Sequence, residues 1–172
     1  MPINYQDIAK IIRVDQAGEY GAKRIYEGQL RFCRDPKLAK KIKSLRDSEL
    51  PHLAYFDNAI NERRVRPTIL NPIWNIGGFL LGAVTMKMGR EAAMLCTEAV
   101  EEVIEEHYQE QIDFLGDAEP ELANKIKEFQ ADEIEHKNTA IELGSKNTPA
   151  YKILKTMLRG ITKQSIWLAK RF

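Results

Sequence analysis

The chain has 172 residues, enough for one domain with a substantial apolar core. Hydrophobic residues at 44% and charged residues at 30% place it among soluble or surface-bound globular proteins. Its 26 basic and 25 acidic residues leave a net charge of +1, which excludes a general affinity for nucleic acid.

The first predicted helix runs from Gln6 to Cys33, with Ile8, Ile11, Ile12, Ala22, Ile25, Tyr26 and Leu30 at helical spacing. Within it, Gly18 and Gly21 flank Glu19, and each costs about 1 kcal/mol of helix propensity relative to Ala. Such small residues let a neighbouring helix or a substrate come close. Asp35-Pro36 opens a second helix that extends to about Glu62, with Leu38, Ile42, Leu45, Leu53, Phe56 and Ile60 on its buried stripe. Pro51 removes a backbone donor inside this helix, so either a kink or a fresh helix start near Ser48 is expected.

From Pro67 to Met86 the chain carries no charge. The length matches a membrane span, but Asn71, Pro72, Asn75 and the glycines at 77, 78 and 82 suit one poorly. An apolar crossover helix is expected, either packed over a bundle or dipping into a bilayer. A third core helix is predicted from Gly89 to about Leu115, with Glu101 on its inner stripe, Glu105 as a rival and Glu102 and Glu106 facing outward. The fourth starts at Ala118-Glu119-Pro120 and ends near Gly144. Residues 150–172 combine Ile153, Leu154, Met157, Leu158 and Ile161 with Lys152, Lys155, Arg159, Lys163, Lys170 and Arg171 and no acid. That is a basic amphipathic helix suited to an anionic membrane surface or docked on the bundle with a solvated basic rim.

Glu49 to His52 and Glu133 to His136 are both Glu-x-x-His pairs, which a helix presents on one face. A further glutamate precedes each: Glu19 lies 30 residues before Glu49, and Glu101 lies 32 before Glu133. One Glu from each of two helices and one Glu-x-x-His from each of the other two is the arrangement of a two-metal carboxylate site in a four-helix bundle. Asp132, four residues before His136, is a geometric rival to Glu133. Mixed carboxylate and imidazole donors suit iron or manganese, and four carboxylates neutralise two divalent ions. Glu49 and Glu133 are the expected bridging carboxylates, with Glu19 and Glu101 terminal. His107 and Tyr108 are candidates for orienting ligands or moving protons and electrons, with a core tyrosine and a surface-leaning histidine as the plainer reading. Cys33 and Cys96 form no disulfide framework, which fits a reducing compartment. With no signal or transit pattern at Met1-Pro2-Ile3-Asn4, a bacterial cytoplasmic-side protein or a mature organellar one is expected.

At these residues the chain resembles the demethoxyubiquinone hydroxylase family, the di-iron monooxygenases of ubiquinone biosynthesis. The resemblance is carried by Val14-Asp15-Gln16-Ala17-Gly18-Glu19-Tyr20-Gly21-Ala22, Arg64-Val65-Arg66-Pro67-Thr68, Pro72-Ile73-Trp74-Asn75, Ala99-Val100-Glu101-Glu102 and the Glu133-to-His136 pair. It implies an all-α, ferritin-like four-helix bundle with a long apolar crossover helix and a C-terminal basic amphipathic helix, forming a single domain over residues 1–172. It implies two iron ions bound by Glu19, Glu49, His52, Glu101, Glu133 and His136, with His107 and Tyr108 catalytic near the substrate. The implied activity is O2-dependent hydroxylation of a polyprenyl demethoxyubiquinol, with NADH or the quinol as reductant. A peripheral place on the cytoplasmic face of a bacterial membrane, or the matrix face of the mitochondrial inner membrane, follows from that substrate. A homo-oligomer or other ubiquinone-biosynthesis proteins are the partners it suggests. A ferritin- or rubrerythrin-like iron oxidase or peroxidase is the alternative that six such ligands also allow, and a non-catalytic lipid- or quinone-binding protein is a third.

Overall fold

Helix starts are written locally into the chain. The Asn4 side chain accepts from the Asp7 N–H at 3.0 Å, and Asp35 accepts from Lys37 and Leu38, so both caps satisfy donors that a first turn leaves free. The computed structural model describes residues 4–172, and among these the chain forms six α-helices and no strand. They are α1 (Tyr5–Phe32), α2 (Pro36–Glu62), α3 (Asn71–Met88), α4 (Arg90–Leu115), α5 (Pro120–Glu142) and α6 (Tyr151–Ala169). The protein is an all-α bundle: α1 pairs with α2 and α4 with α5, while α3 packs along α1 and α6 along α4.

The core is layered. One apolar cluster joins Ile8 and Ile12 to Phe56, Ala59 and Ile60, then to Leu115, Leu122, Ile126 and Phe129. A second joins Tyr26, Leu38, Ile42 and Leu45 to Met94 and Ala140. On each of α1, α2, α4 and α5 the predicted Glu and His positions fall between the residues given to these two clusters. The sequence thus places a polar layer between two greasy ones.

Pro51 does not divide the second helix: α2 is continuous from Pro36 to Glu62. The proline lies on the exposed face, so its ring meets solvent while Glu49 and His52 stay buried. No second helix starts at Ser48, whose hydroxyl instead donates to the Leu45 carbonyl at 2.7 Å.

The uncharged stretch becomes α3, and no helix among the described residues is long and apolar enough to cross a membrane. Glycine sets its distance from α1. A Cβ on Gly82 would lie 1.9 Å from the Ile25 carbonyl oxygen, and one on Gly28 would lie 2.1 Å from that of Phe79. The two backbones touch where side chains would otherwise hold them apart. A single residue, Gly89, at φ 133, then reverses the chain into α4, a conformation that L side chains rarely adopt.

The C-terminal helix docks on the bundle, as one of its two expected placements had it, but not with all of its cations in solvent. Three of its cations turn inward to α4: Lys155 meets Glu98 at 2.7 Å and Glu102 at 3.1 Å, Arg159 meets Glu106 at 2.7 Å, and Lys163 meets Glu106 at 3.1 Å. Glu102 is therefore half-buried at the α4–α6 seam rather than outward-facing. Of the expected apolar face, Ile153, Met157 and Ile161 are exposed and only Leu158 is buried. Docking through charge leaves the greasy side outward, beside an exposed stripe of Ile73, Ile76, Leu80 and Val84 on α3.

Gly82→Ala should lower stability by about 1–3 kcal/mol, because the added methyl meets backbone rather than a flexible side chain. Gly77→Ala, with open space at its Cβ, should be neutral or slightly stabilising. Thermal unfolding of the two variants checks the contrast.

Candidate metal centre

The polar layer is assembled from four helices. Glu19 comes from α1, Glu49 and His52 from α2, Glu101 from α4, and Glu133 and His136 from α5, and all six are at most 4% exposed. They form two groups whose ligand-type atoms lie within 4.8 Å of one another: Glu19, Glu49, His52 and Glu133, and Glu49, Glu101, Glu133 and His136. Glu49 and Glu133 belong to both. Glu105, the rival to Glu101, instead pairs with Lys137 on α5.

The donor atoms converge, and His136 Nδ1 hydrogen-bonds Glu133 Oε2. His136 Nδ1 lies 3.0 Å from Glu49 Oε1 and 3.1 Å from Glu133 Oε2, and His52 Nδ1 lies 3.2 Å from Glu133 Oε1. Yet neither Glu49 oxygen nor His52 Nδ1 has a hydrogen-bond partner. Buried polar atoms are ordinarily paired, so convergent orphans of this kind fit a pair of cations between them.

The electrostatics agree. Burial, then Glu133 and Glu49, pushes the Glu101 carboxyl well above the usual carboxylate range. Burial alone would depress both imidazoles, but the carboxylates close against them outweigh it. Glu133, Glu19 and Glu49 raise His52, and Glu133 and Glu49 raise His136 to about 11. Clustered acids demand positive charge, and two divalent ions would supply it better than two protons on imidazole.

Four further residues complete the layer, and they are reciprocal. Tyr26 of α1 donates to Glu101 Oε1 at 2.8 Å, while Tyr108 of α4 donates to Glu19 Oε1. Each tyrosine stands seven residues after the glutamate on its own helix and braces the glutamate on the other. Likewise His52 Nε2 donates to Asp132 Oδ2 at 3.0 Å, and His136 Nε2 donates to Ser48 Oγ at 2.9 Å. Ser48 and Asp132 each immediately precede the Glu of a Glu-x-x-His pair. Asp132, weighed above as a ligand, thus lies outside the cluster and orients a histidine, leaving Nδ1 free to bind. Tyr26 and Ser48 went unrecognised in the sequence reading, although their matching offsets in the two halves are a readable signal.

His107 and Tyr108, the predicted catalytic pair, reach the layer from one end. Both line a small inner cavity of about 20 Å³ that also touches Asp15, Glu19, Glu101 and Glu133. This space is about enough for one water. Burial, then the negative charge of Glu19, raises the Tyr108 phenol. Burial, then Lys170, depresses His107 to about 4. Beyond this cavity lies an apolar pocket of about 440 Å³ between α1, α3, α4 and α6, reached past Gly18 and Ile104. Gly18 and Gly21 have open space or only the tip of Ile104 at their Cβ positions, so they shape this pocket and not a helix contact of their own side chains.

The family described as Ubiquinone biosynthesis protein COQ7 matches residues 6–169. The chain is 48% identical over 169 residues to the mitochondrial NADPH-dependent 3-demethoxyubiquinone 3-hydroxylase of Dictyostelium discoideum, covering 96% of this chain and 78% of that one. It is 42% identical over 168 residues to the enzyme of the same name from Homo sapiens, covering 95% and 77%. With the 3-demethoxyubiquinol 3-hydroxylase of Rhodospirillum rubrum it shares 42% identity over 165 residues, covering 95% and 78%.

Asp132→Ala leaves His52 Nε2 without its acceptor, and should weaken metal binding by about 10–100-fold while leaving the fold intact. Competition for ferrous or manganous ion against a chelator measures it.

Proposed function

The chain belongs to the COQ7 family of ubiquinone biosynthesis proteins and is an oxidoreductase that hydroxylates demethoxyubiquinone, and we propose that it works through two iron ions held by Glu19, Glu49, His52, Glu101, Glu133 and His136. The observation that supports a pair of ions is that the two ligand groups share Glu49 and Glu133. Iron held by these six residues would supply the redox chemistry for activating O2 and hydroxylating a ring carbon.

The chain's own residues do the rest. The apolar pocket receives the polyprenyl quinol, its tail against Ile25, Leu81, Val84 and Ile161 and its ring toward Gly18 and Ile104. The glycine leaves room for the ring to reach the inner cavity beside Glu19 and Glu133. The apolar lining excludes water from the reacting centre. Tyr108 holds a proton toward Glu19 and Tyr26 holds one toward Glu101, fixing the orientation of both terminal carboxylates. Tyr108, with His107 next to it, is the protein group best placed to meet the ring. The reductant in this reading is a reduced nicotinamide or the quinol itself. The names of the Dictyostelium and human relatives specify NADPH, which favours NADPH over NADH.

A substrate of this kind resides in the bilayer. The exposed stripes of α3 and α6 flank the pocket, since Ile73, Leu80, Val84 and Ile161 are both exposed and pocket-lining. We place the protein peripherally, with this apolar face in the acyl region and the pocket opening toward lipid. An iron-storage oxidase has no use for such a pocket.

Iron-loaded protein should hydroxylate a demethoxyquinone analogue under oxygen, faster with NADPH than with NADH, at two irons per chain. Glu133→Ala should abolish turnover. Hydroxylation by metal-depleted protein would overturn the iron assignment. Ile76→Glu and Met157→Glu should each weaken co-flotation with liposomes by roughly tenfold, as expected from removing a buried apolar side chain at the membrane.

A further inference from the structure

The hydroxylation consumes protons as well as electrons. A ring C–H, O2, two electrons from the nicotinamide or quinol and two protons become a ring C–OH and one water. The apolar pocket is a poor source of those protons: no ionisable side chain lines it, and Thr162 and Ser165 are its only hydroxyls. A more polar route is needed.

His107 stands where such a route would cross the bundle. It lines the inner cavity and also an outer pocket of about 240 Å³ whose other walls include Asp7, Lys10, Glu110, Gln111 and Lys170. Lys10, Glu110 and Lys170 are exposed, so this pocket faces water. On the inner side, Gln111 Nε2 donates to Asp15 Oδ1 at 2.7 Å and lies 2.9 Å from His107 Nε2. His107 Nε2 is itself 4.0 Å from Asp15 Oδ1, and its Nδ1 lies 3.8 Å from the Glu110 carboxylate. Asp15 is 3% exposed, lines the inner cavity, and its Oδ2 has no partner. A buried carboxylate oxygen without a partner is costly and calls for a use.

We propose that His107 and Asp15, positioned by Gln111, carry protons from the outer aqueous pocket to the oxygen-reducing site. Neutral His107 takes up a proton from the outer pocket. Its Nε2 gives one to Asp15 Oδ1 once Gln111, whose amide N–H otherwise faces that nitrogen, turns aside and the 4.0 Å gap closes, leaving the ring neutral again. The carboxyl then passes a proton from Oδ2 into the inner cavity, where the single-water space lies. Gln111, bonded to Asp15 and beside His107 Nε2, keeps the two groups 4.0 Å apart, close enough for a small side-chain motion to bring them into contact. His107 is suited to this because it is neutral between transfers, its basicity depressed by burial and then by Lys170.

The inference rests on the oxygenase reading, and the test separates the two. In the iron-loaded protein Asp15→Asn keeps the shape and an acceptor for Gln111 but cannot carry a proton. Turnover should fall by about 10²-fold at unchanged iron content and KM, with a larger solvent isotope effect. Gln111→Leu removes the bridge and leaves both ends in place. In metal-free protein, NMR should show the Tyr108 hydroxyl exchanging with solvent more slowly in either variant than in the unaltered chain. Unchanged turnover, isotope effect and hydroxyl exchange in both variants would overturn the relay alone, provided the unaltered protein hydroxylates. If the unaltered protein does not hydroxylate, the oxygenase reading falls, and the hydroxyl exchange still decides the route. Should Asp15→Asn fail to bind iron, the exchange rate in Gln111→Leu decides it.

Discussion

Four carboxylates buried within a few ångströms of one another dominate the energetics of this bundle. Alone, they would repel in a medium that screens poorly, and their desolvation would not be offset. Everything around them reduces that cost: two imidazoles turn Nδ1 inward, two tyrosines donate inward, and apolar layers close both ends. The cluster could bind metal, and cations held there would stabilise the fold as well as supply chemistry.

The bracing runs across the two halves of the molecule rather than within them. A tyrosine on α1 steadies the glutamate of α4, and one on α4 steadies that of α1. Residues preceding one Glu-x-x-His pair hold the histidine of the other. Each half therefore leaves the other's ligands unoriented if it moves, which ties the geometry of the centre to the packing of the whole bundle.

The remaining helices serve access. Backbone contact through Gly28 and Gly82 holds α3 close on α1, while the salt bridges of Lys155, Arg159 and Lys163 hold α6 on α4. Between them the apolar pocket opens, with exposed aliphatic stripes on either side. In the proposed reaction the apolar substrate enters on this side. The charged pocket meets the inner cavity at His107. Separating an apolar entrance from a polar one would keep water from the reacting ring without starving the site of protons.

The order and limits of the helices were legible in the chain, because a period of 3.6 residues, Asp35-Pro36, Glu119-Pro120 and the glycines at 89, 116 and 144 are local signals. So was the grouping of Glu19, Glu49, His52 and His136, since a helix maps spacing onto a face and the halves repeat, whereas Glu101 over Glu105 and Glu133 over Asp132 came only from the family resemblance. Pro51 misled because on the exposed side of α2 the carbonyl it leaves without an N–H partner is open to water, and the helix runs on through it. Residues 150–172 misled for a related reason: their composition reads as a basic rim, but composition does not say which side docks. Only the packed structure brings Glu98, Glu102 and Glu106 beneath those cations and so turns the apolar side out. Sequence determined the elements and the donors, whose signals lie within a few turns of one helix. Tertiary structure decided the pairings of Tyr26, Ser48, Asp15 and Gln111 and the direction of α6, because each depends on a partner that another helix supplies.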